Sequence, residues 1–161
     1  MKLKETSGTT ILIDIDGVLS PLGSTTKDAF KIQTEWCTWS INGYIAGWLY
    51  FLSKLPVNLI SISAHEDNIK DLTDYFELPE LDYLIFEDNN SVWAKKDSIE
   101  AAIKSIRDIK GNSHKIVLID DEIPVSFQIE LQSLGVTTLV PDSRYGLLEK
   151  DIKTINSLLI D

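Results

Sequence analysis

Four groups of residues in this chain have the types and spacing to handle phosphate chemistry. Asp14-Ile15-Asp16-Gly17 follows a short apolar run, and Asp120-Asp121 follows another. Between them lie two polar positions after a third run, Ser61 and Ser63, and a lysine pair, Lys95-Lys96. Residues two apart at a strand end point the same way, so Asp14 and Asp16 can share one pocket. Two carboxylates that close need a cation between them or a proton on one. Gly17 allows a sharp turn and leaves room for a ligand. Each group also has a plainer reading. Asp16-Gly17 is a favoured hairpin turn, although the non-alternating apolar run before it and Pro21 after it argue against a hairpin. Ser63-Ala64-His65-Glu66 is a capping box. Asp120-Asp121 could cap a helix, and either lysine could be a solvated surface residue. His65 and His114 have no metal-type neighbours in the sequence and read as ordinary polar residues.

These groups need elements to position them. Thr9–Ile13, Val57–Ile62, Leu81–Phe86, Lys115–Ile119 and Val136–Val140 read as strands. Helical patterns alternate with them. Asn42 is placed to cap a helix carrying Ile45, Trp48, Leu49, Leu52 and Leu55, which Pro56 stops. Further helices are expected over 66–76 and 98–109, from about Pro124, and around Leu148, Ile152, Ile155 and Leu159. Strand alternating with helix five times predicts a Rossmann-like three-layer α/β/α sandwich with a five-stranded, mainly parallel sheet. In such sheets ligands lie at the carboxyl ends of the strands. All four groups fall at that edge.

The 161 residues fit one domain over 1–161, with 43% hydrophobic and 25% charged residues, a globular balance. No run approaches the roughly 20 apolar residues of a membrane span. The polar start, MKLKETSGTT, does not read as a signal peptide, and the single cysteine, Cys37, allows no internal disulfide. A cytoplasmic location is the expectation. A net charge of −10 argues against a long nucleic acid as partner.

In this order, the groups resemble the motifs of the haloacid dehalogenase (HAD) superfamily of phosphotransferases. Asp14-Ile15-Asp16-Gly17-Val18-Leu19 is similar to its first motif and Ser63 to its second. Lys95 or Lys96 is similar to the third, and Asp120-Asp121 to the fourth. Pro141-Asp142-Ser143-Arg144-Tyr145-Gly146-Leu147 also looks like small bacterial members. Those members usually carry a tryptophan where this chain has His65. A receiver domain gathers similar residues, but there the lysine closes the last strand, whereas here it precedes the acid pair.

The resemblance implies a Mg2+-dependent phosphomonoester hydrolase acting on a small phosphorylated substrate. Asp14 would be the nucleophile, Asp16 the general acid and base, and Ser63 and Lys95 the groups that bind and neutralise the phosphoryl oxygens. Asp14, Asp16 and Asp121 form the implied metal set, with the Ile15 carbonyl as a further ligand to Mg2+. The dehalogenase branch lacks an acid at the place of Asp16. Only 46 residues lie between Asp16 and Ser63 and 31 between Ser63 and Lys95, too few for an inserted cap domain. The stretch 27–41, with Phe30, Trp36 and Trp39, could form a β-flap over the pocket, or its aromatics could be local core. Two other functions fit the same residues: a catalytically silent phosphate- or partner-binding domain, and a phosphatase that processes nucleic-acid ends.

Overall fold

The computed structural model describes residues 3, 8–23, 25–35, 37–63, 69–79, 81–86 and 93–159. The run TTILI becomes β1 (Thr9–Ile13), in which all five residues are buried. A strand of that composition is stable only with cover on both faces, and here it lies at the centre of the sheet. On one side it pairs in parallel with β4 (Val57–Ser61), Thr9 opposite Val57 and Ile13 opposite Ser61. On the other it pairs in parallel with β6 (Lys115–Ile119), Thr9 opposite Lys115 and Ile13 opposite Ile119. The outer strands are β5 (Asp82–Tyr83) and β7 (Val136–Leu139), giving the order β5-β4-β1-β6-β7 with every pairing parallel. The expected Rossmann-like sandwich is the observed architecture.

The period-two alternation of side chains sorts the core into two layers. Ile11 and Ile13 of β1, with Val117 and Ile119 of β6, pack against α1 (Gly43–Ser53), α2 (Ile69–Tyr75) and α5 (Glu149–Leu159). Leu12, Leu118 and Ile60 face α3 (Lys96–Lys110) and α4 (Val125–Ser133). In α3 the buried residues are Ile99, Ala102, Ile103 and Ile106, one stripe at helical spacing. Each fully buried Ile or Leu of β1 contributes roughly 1.5–3 kcal/mol relative to exposure. Polar atoms inside the sheet are paired as well: Asn58 Nδ2 donates to Thr10 Oγ1 at 3.1 Å, and His114 Nε2 lies 2.9 Å from the same hydroxyl. His114 is therefore a sheet-spanning structural residue. His65 lies outside the described residues.

Some boundaries differ from the sequence expectation. The third strand is two residues long, not six, because at the sheet edge it has only β4 to pair with. α3 begins at Lys96 rather than Ser98, and α2 at Ile69; residues 64–68 lie outside the described residues. Pro124 stands just before α4 in an extended conformation, φ −58° and ψ 140°. Asn42 occupies the N-cap position of α1 but makes no side-chain cap. Its Oδ1 instead accepts the Thr26 N–H at 3.0 Å and the Thr26 hydroxyl at 2.8 Å, which ties down the loop before it. The flap expected over 27–41 is an antiparallel hairpin, β2 (Phe30–Gln33) with β3 (Thr38–Ile41). Trp36 lies outside the described residues, and Trp39 is fully buried.

Candidate active site

β1, β4 and β6 end at one level, and their backbones continue to hold one another past the last ladder pair. The Asp14 N–H donates to Ile119 O at 2.9 Å, and the Ile62 N–H donates to Ile13 O at 2.9 Å. Asp120 is held in turn by its N–H to Leu139 O at 3.2 Å. The first residue after β1 and the first after β6 therefore emerge side by side between well-anchored strands.

Asp14 is buried and both its oxygens are engaged. Oδ1 accepts the Ile15 N–H at 2.8 Å, and Oδ2 lies 2.6 Å from Lys95 Nζ. The same ammonium reaches Asp120 Oδ2 at 2.7 Å. Asp120 has no exposed surface, and its Oδ1 accepts the Glu122 N–H at 2.8 Å. Lys95 arrives there because it is the last residue before α3. The turn it sits in is closed by the Lys96 N–H to Trp93 O at 3.0 Å, and buried Trp93 packs on Phe127 with ring centroids 5.6 Å apart. Lys96, one residue on, turns away to Glu130 at 2.8 Å and Glu100 at 3.6 Å. Of the two lysines, Lys95 is the one that reaches the cluster.

Asp121 completes the cluster. One carboxylate oxygen from each of Asp14, Asp120 and Asp121 lies within 4.8 Å of the others. Gly17 is what lets Asp121 approach. Its φ is +72°, and a Cβ there would stand 2.4 Å from Asp121 Oδ2. The electrostatics follow from burial and crowding. Burial pushes the Asp14 carboxyl up to about 7; Lys95 opposes the rise and Asp120 adds to it. Asp121 is raised too, first by burial. Burial depresses Lys95, but its two carboxylate partners outweigh that and hold it above the usual lysine value. Three carboxylates against one ammonium leave an excess of negative charge that a cation would relieve.

Of the expected metal set, Asp14 and Asp121 are in the cluster, joined by Asp120. Asp16 is placed differently: its Oδ1 accepts the indole N–H of Trp39, on the hairpin, at 3.1 Å. Ser63 is buried just beyond β4, with its N–H directed to Ser61 Oγ at 3.3 Å. Ser61 itself sits in the ladder opposite Ile13, which makes Ser63 the serine that lies past the strand end. Two members of this arrangement have no separate signal in the sequence. Asp120 is legible there only as half of an acid pair, and its full burial has no signature in a dipeptide of two acids. Trp93 follows a stretch with no clear periodicity.

No family model matches this sequence, and no curated protein does. Among solved structures, a chain in "Structure of Pnkp1/Rnl/Hen1 complex" is similar in fold, with a TM-score of 0.52 and 16% identity. The match covers 92% of this chain and 49% of that one, so this chain spans about half the length of its neighbour. At that identity the likeness concerns the fold. No helix among the described residues is long and apolar enough to cross a membrane.

Proposed function

We propose that this chain is a Mg2+-dependent phosphomonoester hydrolase of the HAD type, a single domain over 1–161, with Asp14 as nucleophile. One observation carries the reading: Lys95 is shared between Asp14 and Asp120 at the ends of two parallel strands, with Asp121 alongside. A lysine in that place steadies the nucleophile and offers positive charge to incoming phosphoryl oxygens.

Hard carboxylate oxygens, crowded and incompletely neutralised, are the donor set that suits a hard divalent cation such as Mg2+. Asp14 and Asp121 would hold it, with Asp16 completing the set from the same loop; the Ile15 carbonyl already accepts the Leu19 and Ser20 N–H groups. When bound, the ion offsets the repulsion between carboxylate and phosphate and favours the ionised form of Asp14. Asp120, engaged by Lys95 and the Glu122 amide, serves to orient the lysine.

An Asp14 oxygen forms a bond to phosphorus as the ester oxygen leaves, and Asp16 protonates that oxygen. Asp16 then takes a proton from water, whose oxygen bonds to phosphorus and releases Asp14. Ser63 and Lys95 bind the phosphoryl oxygens. Among the described residues the chain between β1 and β4 holds only the hairpin and α1, which supports an uncapped site and a small substrate. The single cysteine is in keeping with a cytoplasmic setting. An open site also admits a phosphate at the end of an oligonucleotide, the second reading.

The test is Mg2+-dependent release of phosphate from p-nitrophenyl phosphate, with Asp14→Asn as control. Absence of turnover across several metals and phosphoesters would leave a silent phosphate- or partner-binding domain. Equal arms with a mononucleotide and a terminally phosphorylated oligonucleotide would separate the two substrate classes.

A further inference from the structure

Among the described residues, the hairpin reaches the proposed chemistry through Trp39. Trp39 is 1% exposed, and its indole N–H donates to Asp16 Oδ1 at 3.1 Å. A second tie lies next to it: the Ser40 N–H donates to Ser20 Oγ at 3.0 Å, while Ser20 forms a β-bridge with Asp16. The loop after β1 is itself closed by Ser20, whose N–H donates to Ile15 O at 2.8 Å and whose carbonyl accepts the Gly17 N–H at 2.8 Å. Asp16 is thus gripped by its own loop and by a neighbouring strand. Its carboxylate orientation depends on the strand.

We infer that Trp39 is a positioning residue for Asp16, holding its carboxyl group in the orientation from which it serves the leaving oxygen. This rests on the phosphatase reading. The orientation of the carboxyl group is then set before substrate arrives, at no cost in reorientation during the reaction. The plainer alternative is that the buried indole simply needs an acceptor and finds one in Asp16. The two differ in what happens to leaving-group dependence. Proton donation matters greatly when the departing oxygen is an alkoxide and little when it is a nitrophenolate.

The experiment compares p-nitrophenyl phosphate with a simple alkyl phosphate for wild type, Trp39→Phe, Asp16→Asn and Lys31→Ala, the last on the exposed face of the same hairpin. Trp39→Phe is expected to lower kcat/KM for the alkyl ester at least tenfold more than for the aryl ester, in the same direction as Asp16→Asn, and Lys31→Ala to leave the ratio unchanged. An equal loss on both esters in Trp39→Phe overturns the inference. Should Trp39→Phe not fold, or wild type hydrolyse neither ester, the indole N–H resonance of Trp39 decides. Its displacement by Asp16→Ala but not by Lys96→Ala upholds the pairing, and indifference to Asp16→Ala overturns it. Failure of wild-type turnover, by contrast, counts against the phosphatase reading itself.

Discussion

Replacing Lys95 with methionine should be the most damaging single change at the strand ends, for reasons that can be sized. The ammonium lies 2.6 Å from one carboxylate and 2.7 Å from another, with side-chain exposures of 17% for Lys95, 8% for Asp14 and none for Asp120. Removing one member of a buried charge pair costs about 3–5 kcal/mol, because the partner is left uncompensated. Partial exposure of Lys95 admits some screening, so about 3 kcal/mol is the expected loss at pH 8 without metal. At roughly 2–4 °C per kcal/mol for a chain of this size, Tm should fall by about 6–12 °C. Asp14 gives the loss a pH dependence. Its folded value is raised, from 3.8 to about 7, so the folded state binds the extra proton and its stability declines as pH rises from about 4 through 7. Lys95 opposes that rise, so without the lysine the decline extends to higher pH. At pH 5.5 Asp14 is protonated and the variant should recover part of the deficit. Urea unfolding of wild type, Lys95→Met, Asp120→Asn and the double variant at both pH values measures this, and the double variant should be less damaged than the sum of the single changes. A loss below about 1 kcal/mol at pH 8, or one identical at both pH values, would refute the reasoning.

Asp14→Asn should abolish phosphate release while raising metal-free stability at pH 8, since a carboxylate held near 7 costs folding energy when ionised; more than a few per cent of wild-type turnover would sink Asp14 as nucleophile. Mg2+ should stabilise wild type more at pH 8 than at pH 5.5, because protonated Asp14 no longer attracts it, and a larger Tm shift at the lower pH would contradict the ligand set. Gly17→Ala forces a side chain into φ +72° and against Asp121, so both Tm and Mg2+-dependent turnover should drop, measured by calorimetry and phosphate release. Lys96→Ala, by contrast, should leave turnover unchanged, since that lysine pairs with Glu100 and Glu130 away from the cluster.

The parts of the fold that could be read in the sequence are those where one physical demand dominates. Thr9–Ile13 and Lys115–Ile119 are the observed strands to the residue, because burial on both faces leaves an unbroken apolar run with polar ends. Leu81–Phe86 is also largely apolar and yields only two strand residues, since what limits an edge strand is its neighbour. Asn42 has the right type for a cap, yet a loop 16 residues upstream competes for its oxygen, a contest local pattern cannot reveal. The site follows the same division. The carboxylates could be located by strand ends, whereas their ranking could not. Lys95 and Lys96 are separated only by where α3 starts, a turn closed by the Lys96 N–H to Trp93 O that local pattern does not reveal. Trp39 reads as core by composition and is core, but its one polar atom reaches Asp16, a contact fixed by the hairpin register.

The central claim is that Asp14 takes up the phosphoryl group beside a cation shared with the acid pair after β6. Crystals grown with Mg2+ and beryllium fluoride test it directly. The account predicts beryllium bonded to an Asp14 oxygen, with Mg2+ between Asp14 and Asp121 and Lys95 Nζ contacting the fluorides. Beryllium bonded to another carboxylate, or Mg2+ bound away from the ends of β1 and β6, would contradict it.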